Sequence, residues 1–526
     1  MRRLCLVATA VALAALAAWG CSDDDNPPAT YDGLPTTDGG DGGPTGDGAL
    51  LDKGPTGDGF TCPMEGPCVL GKIGEGKHPG KTYLVIGEIL TLTGTDLDTI
   101  TSVSVGAADA PLISVTPTKV TCRIGPRTPP GTHTVEVQAT DKRRMAGVIE
   151  VQRLVSAVAE DDSKLVTFLS VNHSAGAEID LGEVPDLRPA NDPTGRYVVS
   201  PGKTKLVVVD LAQEQAATVS GLTEAVTTWA VDERGETLVV STSGGKLLAV
   251  DLKAFPTLTA KAVTGAPGTA AVVLAAPGLF AGVNPTASGS EGSLWYAATD
   301  LKAFSWAQQA GSPFVIGTGS GLQGVASDGR DGFLAMLVLD GPSMRFTVAQ
   351  ESSGALTNPA APAVAGGLYV TVAQGGGYVA LSSDEMTPTL RYIAAATPTT
   401  VSTVALGSGS ASRLIAGVLP TQKNLVWTLV GPAPMPADPF DAQSIELADL
   451  AKGARLTLGG GKPAVELAAM RDVVADPIAD RLHVITATHF HTFDFTLSGT
   501  TLTVNELPPS QQLPAGKKHR WITIQP

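Results

Sequence analysis

Asp192-Pro-Thr-Gly-Arg-Tyr-Val-Val199, followed by Lys205-Leu-Val-Val-Val-Asp-Leu211, is met again 40 residues on as Asp232-Glu-Arg-Gly-Glu-Thr-Leu-Val-Val240, followed by Lys246-Leu-Leu-Ala-Val-Asp-Leu252. Each copy reads as two short apolar strands entered through an Asp-x-x-Gly turn. Glycine tolerates positive φ there, and the aspartate can bond its own backbone. Asp-Leu-Lys-Ala-Phe at Asp251–Phe255 recurs at Asp300–Phe304, and weaker copies of the hairpin lie at Phe333–Val348, Tyr378–Ile393, Leu425–Leu447 and Leu482–Phe495. In one full unit, Thr227–Val231 is innermost, Thr237–Ser241 and Lys246–Asp251 follow, and Ala260–Val263 is outermost. Four-stranded units about every 40–50 residues predict a β-propeller.

The third strands number eight: Leu165–Val171, Leu206–Asp210, Leu247–Asp251, Leu294–Asp300, Met344–Val348, Leu390–Ile393, Ser444–Leu447 and His489–Phe495. The first unit lacks an innermost strand, and His519–Gln525 is a spare strand at the other terminus. Pairing the two ends in one blade leaves no open sheet edge. The expectation is an eight-bladed ring over 153–526 closed by Trp521–Ile524, with seven blades as the alternative. The Asp-Pro-x-Gly-Arg-Tyr segment resembles the YVTN-type, lactonase-like propeller repeats, closely in two units and loosely in the others.

Upstream of the ring the pattern is alternation. Strands are expected at Glu88–Leu97, Ser102–Gly106, Lys119–Ile124, His133–Val137 and Val148–Val151, with Pro129-Pro130-Gly131 as a turn. Period-two apolar residues between Gly and Pro turns argue a β-sandwich. Gly87–Leu97, Val103–Gly106 and Pro130–Val137 resemble, in order, the opening, the V-x-V-G strand and the late P-x-G strand of the IPT/TIG immunoglobulin-like module. That module is expected over 78–152. The fold class is therefore all-β: an immunoglobulin-like sandwich followed by a propeller.

The N-terminus reads as an export signal. Met1-Arg2-Arg3 precedes an apolar run from Leu4 to Ala18. The run is shorter than the roughly 20 residues that span a bilayer as a helix. Gly20-Cys21 and the Ser22-Asp23 that follows resemble the lipobox of bacterial lipoproteins. The resemblance implies removal of 1–20, lipidation of Cys21, and attachment to the cell envelope, with Ser22 pointing to the outer membrane. Ordinary signal cleavage at the same point gives the same mature start without lipid. Residues 21–77 then form a tether: Gly43–Gly48 and Gly54–Gly59 both read Gly-Pro-Thr-Gly-Asp-Gly, with little apolar surface to bury. As a coil of that composition, residues 22–60 span on the order of 35 Å.

Of 526 residues, 36 are Lys or Arg and 51 are Asp or Glu, a net charge of −15. More than half of that charge sits in the tether, where residues 22–60 carry nine Asp and one Lys. This balance argues against nucleic acid and against electrostatic adhesion to anionic lipid. Export permits a disulfide. Cys62, Cys68 and Cys122 offer either a small Cys62–Cys68 loop or a Cys68–Cys122 staple, and one thiol is left over.

Few residues suggest chemistry. His489 and His491 share a strand face, with His483 on the preceding strand. A two-residue turn at Ala487-Thr488 puts His483 opposite Thr492 on the other face, whereas one more turn residue gathers all three imidazoles for a metal. Asp192, Asp232, Asp328 and Asp476 occupy equivalent turns, which argues a structural role. No Walker loop or G-x-S-x-G elbow occurs, and no cofactor is called for. Trp229, Trp295, Trp306, Trp427 and Trp521 fall in strand segments and are expected to pack between sheets. The functional expectation is a membrane-anchored binding or scaffold protein that presents its propeller to a protein or glycan. A lactonase-like hydrolase and a passive structural or adhesive envelope component are the alternatives.

Overall fold

The computed structural model describes residues 69–72, 83–139, 143–269, 271–284 and 442–526 except 459–461, 499–500 and 508–509. Between 285 and 441 it describes 293–298, 304–307, 314–317, 321–327, 333–340, 343–352, 355–357, 369–373, 377–382, 389–393, 401–406, 410–418 and 425–431. Cys21, Cys62, Cys68, Asp328, the export signal and nearly all of the tether lie outside the described residues.

Alternating apolar residues build the N-terminal sandwich. One sheet orders Val69–Lys72, Ile89–Gly94, Lys119–Arg123 and Leu112–Thr116; the other orders Leu84–Val85, Arg143–Gln152, Gly131–Ala139, Ile100–Val105 and Ala108–Asp109. Leu90, Leu92, Val103, Val105, Val120, Val135, Val137 and Val151 face inward as one core. Two features add to the sequence reading. Val69–Lys72 pairs with Ile89–Gly94, so the sandwich takes up residues assigned to the tether. Leu112–Thr116 is a strand although most of its residues are half-buried or exposed; it sits at a sheet edge, where the alternation that marks a strand is weak.

The ring begins at once. Blade 1 comprises Leu154–Ala159, Lys164–Leu169 and Ala175–Asp180, and blade 2 comprises Ala190–Asn191, Tyr197–Pro201, Leu206–Asp210 and Gln215–Thr218. Blade 3 comprises Val226–Val231, Thr237–Thr242, Leu247–Asp251 and Ala260–Ala262. Blades 4 to 7 repeat the order over 271–317, 321–357, 369–405 and 410–456, and blade 8 comprises Val465–Ala475, Arg481–Thr486, His489–Ser498 and Thr501–Glu506. Blades 7 and 8 share a ladder, because Ser444 and Ile445 pair with Glu466 and Val465. The last strand, His519–Ile524, pairs antiparallel with Leu154–Ala159 and becomes the innermost strand of blade 1. The ring is eight-bladed and closed by its own C-terminus.

The central strands of blades 2 and 3 are buried on both faces, which explains their unbroken apolar runs. In blade 2, Val198, Val207 and Val209 join the core shared with blade 1, while Tyr197, Val199, Leu206 and Val208 join the core shared with blade 3. The aromatic side chains serve this packing: Trp229, Trp427 and Trp521 sit in three separate interblade cores. Trp306 packs between blades 3 and 4 but belongs to a connection rather than a strand.

Candidate functional site

The repeated aspartates fold the turns. Asp192 accepts from the backbone N–H of Thr194 and Tyr197, Asp232 from those of Glu236 and Thr237, and Asp476 from that of Ile478. Asp210, Asp251 and Asp449 each cap the N–H two residues on, in the turn between third and fourth strands. Burial pushes the carboxyls of Asp192 and Asp232 above the ordinary aspartate range. Each is committed to its own turn, which leaves it no part in reacting with a ligand.

These turns all lie on one face of the ring, and the sandwich docks there. Val85 enters the core between blades 1 and 2. The backbones approach so closely that a Cβ on Gly87 would meet the Arg196 backbone at 2.5 Å, and one on Gly195 would meet Ile86 at 2.8 Å. Arg123 Nη1 donates to the Arg234 carbonyl at 2.6 Å. Two fully buried side chains tie the junction. Arg153 donates from Nη1 to the Gln525 carbonyl at 2.7 Å and from Nη2 to the carbonyls of Pro126 at 2.8 Å and Thr128 at 3.3 Å. Gln525 Nε2 donates to the carbonyls of Ile86 and Gly195, and its Oε1 accepts from Leu154 N–H. One glutamine thus joins the sandwich, the start of blade 1 and the first turn of blade 2. Burial pulls the Arg153 guanidinium down to about 10, which still leaves it charged at neutral pH.

The innermost strands of blades 2 to 5 border a small cleft of about 40 Å³. Its walls are largely apolar, from Trp229, Val231, Val273, Leu274 and Val325, with Asn191 and Ser327 as the polar members. Asn191 Oδ1 accepts from Thr523 Oγ1, and its Nδ2 is buried with no partner among the described residues. Beside this cleft, Arg188 reaches past the closing strand to Asp472 of blade 8 at 3.1 Å, and Asp472 also accepts from Ile522 N–H at 3.0 Å. Both side chains are buried. This ion pair fastens the last strand on its inner side.

The histidines divide by strand register. His483 pairs with Thr492, and Val484 with His491, across the two-residue turn. His483 therefore faces blade 1, away from His489 and His491. Thr492 Oγ1 lies 2.8 Å from His483 Nδ1 and 2.6 Å from His173 Nε2 of blade 1, and His483 Nε2 lies 3.6 Å from Asp476. Burial alone would raise Asp476; the His483 contact and the charge of Arg153 outweigh it and hold the carboxyl below its ordinary value. Threonine, histidine and aspartate in a row resemble a nucleophile relay in kind. All three are buried, so no substrate meets the hydroxyl, and the row joins blade 8 to blade 1. Among the described residues, no group of three or more His, Cys, Asp or Glu is gathered for a metal.

Cys122 carries a free thiol inside the sandwich core, pushed up to about 12 by burial. Such a thiol is a packing residue rather than a nucleophile. Sequence reasoning missed Arg153, Gln525, Arg188, Asp472 and Asn191. Asp472 gave the one available signal, a carboxylate beside Arg471 at the entry to the apolar Val473-Val474-Ala475. Arg153 and Gln525 look like surface residues because the contacts that bury them come from 25 to 439 residues away.

Residues 77–148 match the IPT/TIG domain family. No curated protein matches the chain. Among solved structures, apo AztD from Citrobacter koseri shares 10% identity at a TM-score of 0.47, covering 71% of this chain and 98% of that one. The dihydro-heme d1 dehydrogenase NirN, in complex with DHE, shares 14% identity at a TM-score of 0.49, covering 70% of this chain and 74% of that one. Likenesses this distant carry no argument about activity. The chain's own sheet order and the family of its first module make it an IPT/TIG-type immunoglobulin-like sandwich docked on an eight-bladed β-propeller.

Proposed function

We propose that this chain is an exported, lipid-anchored binding protein that uses the sandwich as a rigid base and presents the far face of its propeller to a protein or glycan. The observation that carries this reading is the junction built on Arg153 and Gln525. It fixes the sandwich on the turn face of the ring. The opposite face, formed by the loops between second and third strands and by the blade-to-blade connections, is left clear of the sandwich.

A photo-crosslinking residue at Lys203 or Ser243, exposed on the far face, is expected to capture one stoichiometric partner on intact cells. The same residue at Lys452, on the turn face, is expected to capture none. Equal capture from both faces, or none from the far face, removes the reading. Cys21→Ser is expected to shift the chain from the membrane fraction to the soluble fraction; unchanged membrane association would remove the lipid anchor.

A further inference from the structure

On the far face, the strand His489–Ser498 starts with a histidine pair that the fold does not use. His489 and His491 lie on the same side of this strand, with ring centroids 5.9 Å apart and planes tilted by 45°. Their neighbours Phe490 and Thr492 take the other side, packing against Phe168 and His173 of blade 1. Each imidazole is held through the same nitrogen. His491 Nδ1 lies 2.8 Å from Glu506 Oε1, and His489 Nδ1 lies 2.8 Å from Thr488 Oγ1. The Glu506 carboxylate only accepts, so His491 Nδ1 carries a proton, and in the neutral ring the lone pair is on Nε2. His491 also stacks on Phe493, with centroids 6.0 Å apart and planes 12° apart, which fixes the ring's plane. Neither Nε2 has a hydrogen-bond partner among the described residues.

We propose that His489 and His491 bind a divalent late transition-metal ion through their Nε2 atoms, with water completing the coordination. A carboxylate on the far ring nitrogen is the arrangement that orients a metal-ligating histidine and raises its basicity. With metal–nitrogen bonds of about 2.0–2.1 Å, two imidazoles at adjacent positions on one ion have centroids about 4.5–5.2 Å apart. The observed pair therefore closes by about 1 Å on binding, within the soft terminal torsion of a histidine. Two imidazoles and open water positions suit tetragonal Cu2+, which also stands highest in the general affinity order for nitrogen donors. The site goes beyond the proposed binding role and does not depend on it.

The intact exported chain, titrated with Cu2+, is expected to bind one ion at this pair, more tightly than Zn2+, with imidazole-nitrogen coupling in its electron paramagnetic resonance spectrum. His489→Ala and His491→Ala are each expected to weaken binding at least about tenfold, and Glu506→Gln by about 10–100-fold. Glu506 is largely exposed, so its variant keeps the fold and tests the site even if a histidine variant does not. Metal-free melting curves check that each variant is folded. Undiminished Cu2+ binding by the double histidine variant, or no binding by the intact chain at micromolar Cu2+, overturns the proposal.

Discussion

A chain ended at Lys518 is expected not to form the ring. The truncation removes the innermost strand of blade 1, whose residues Val155 to Val158 pair with Ile524 to Trp521. Trp521 leaves the core shared by blades 1 and 2, and Ile522 and Ile524 leave the core shared by blades 8 and 1. Burying three such side chains contributes about 5–9 kcal/mol, against a net stability of about 5–15 kcal/mol for a typical domain. Asp472 loses the Ile522 N–H, and Arg188 loses the Ile522 carbonyl. A buried ion pair stripped of its other partners is a further cost. Calorimetry and size-exclusion chromatography should show no cooperative transition near that of the full chain and a shift to aggregated material. A truncated chain that melts like the full one would mean that the last strand is dispensable.

Arg153→Ala is the second large effect. The guanidinium serves three backbone carbonyls, two from the sandwich and one from Gln525. Alanine leaves all three without that donor, and each carbonyl left buried and unsatisfied costs about 1–3 kcal/mol. The Gln525 side chain is held partly through this contact, so its bonds to Ile86 and Gly195 loosen as well. The expected result is a lower melting temperature together with protease cleavage between sandwich and ring. Arg153→Lys is expected to recover only part of the loss, because a single ammonium cannot span the fork that reaches Pro126 and Gln525. If Arg153→Ala melted as the native chain does, the junction would not be the rigid base described above.

The sequence carried the ring because its repeat is local. The Asp-x-x-Gly turn and the Asp-Leu turn each bond within a few residues, so Asp192, Asp232, Asp210 and Asp251 announce themselves without knowledge of the fold. The spare strand at His519–Ile524 was legible for a different reason: an apolar strand without a hairpin partner must pair elsewhere. The junction was not legible. Arg153 follows Gln152 as any surface arginine would, and its partners lie 25, 27 and 372 residues away. The histidine pair was visible as a spacing, but its relation to His483 depended on one residue of turn length. The two-residue turn separates them by turning His483 inward.

Closure of the ring by its own C-terminus is the claim on which the rest stands, and a cross-strand disulfide tests it most directly. Ser156 and Thr523 are paired across the closing ladder. Antiparallel partners lie about 4.5–5.5 Å apart at Cα, within the range a disulfide spans. Ser156→Cys combined with Thr523→Cys should oxidise to an intramolecular bond, seen by peptide mapping as a 156–523 link, and should protect the protein against thermal unfolding. Ser156→Cys combined with Ile522→Cys, one residue out of register and facing opposite sides, should not. Failure of the first pair to link, or equal linking by both, would contradict a ring closed in this register.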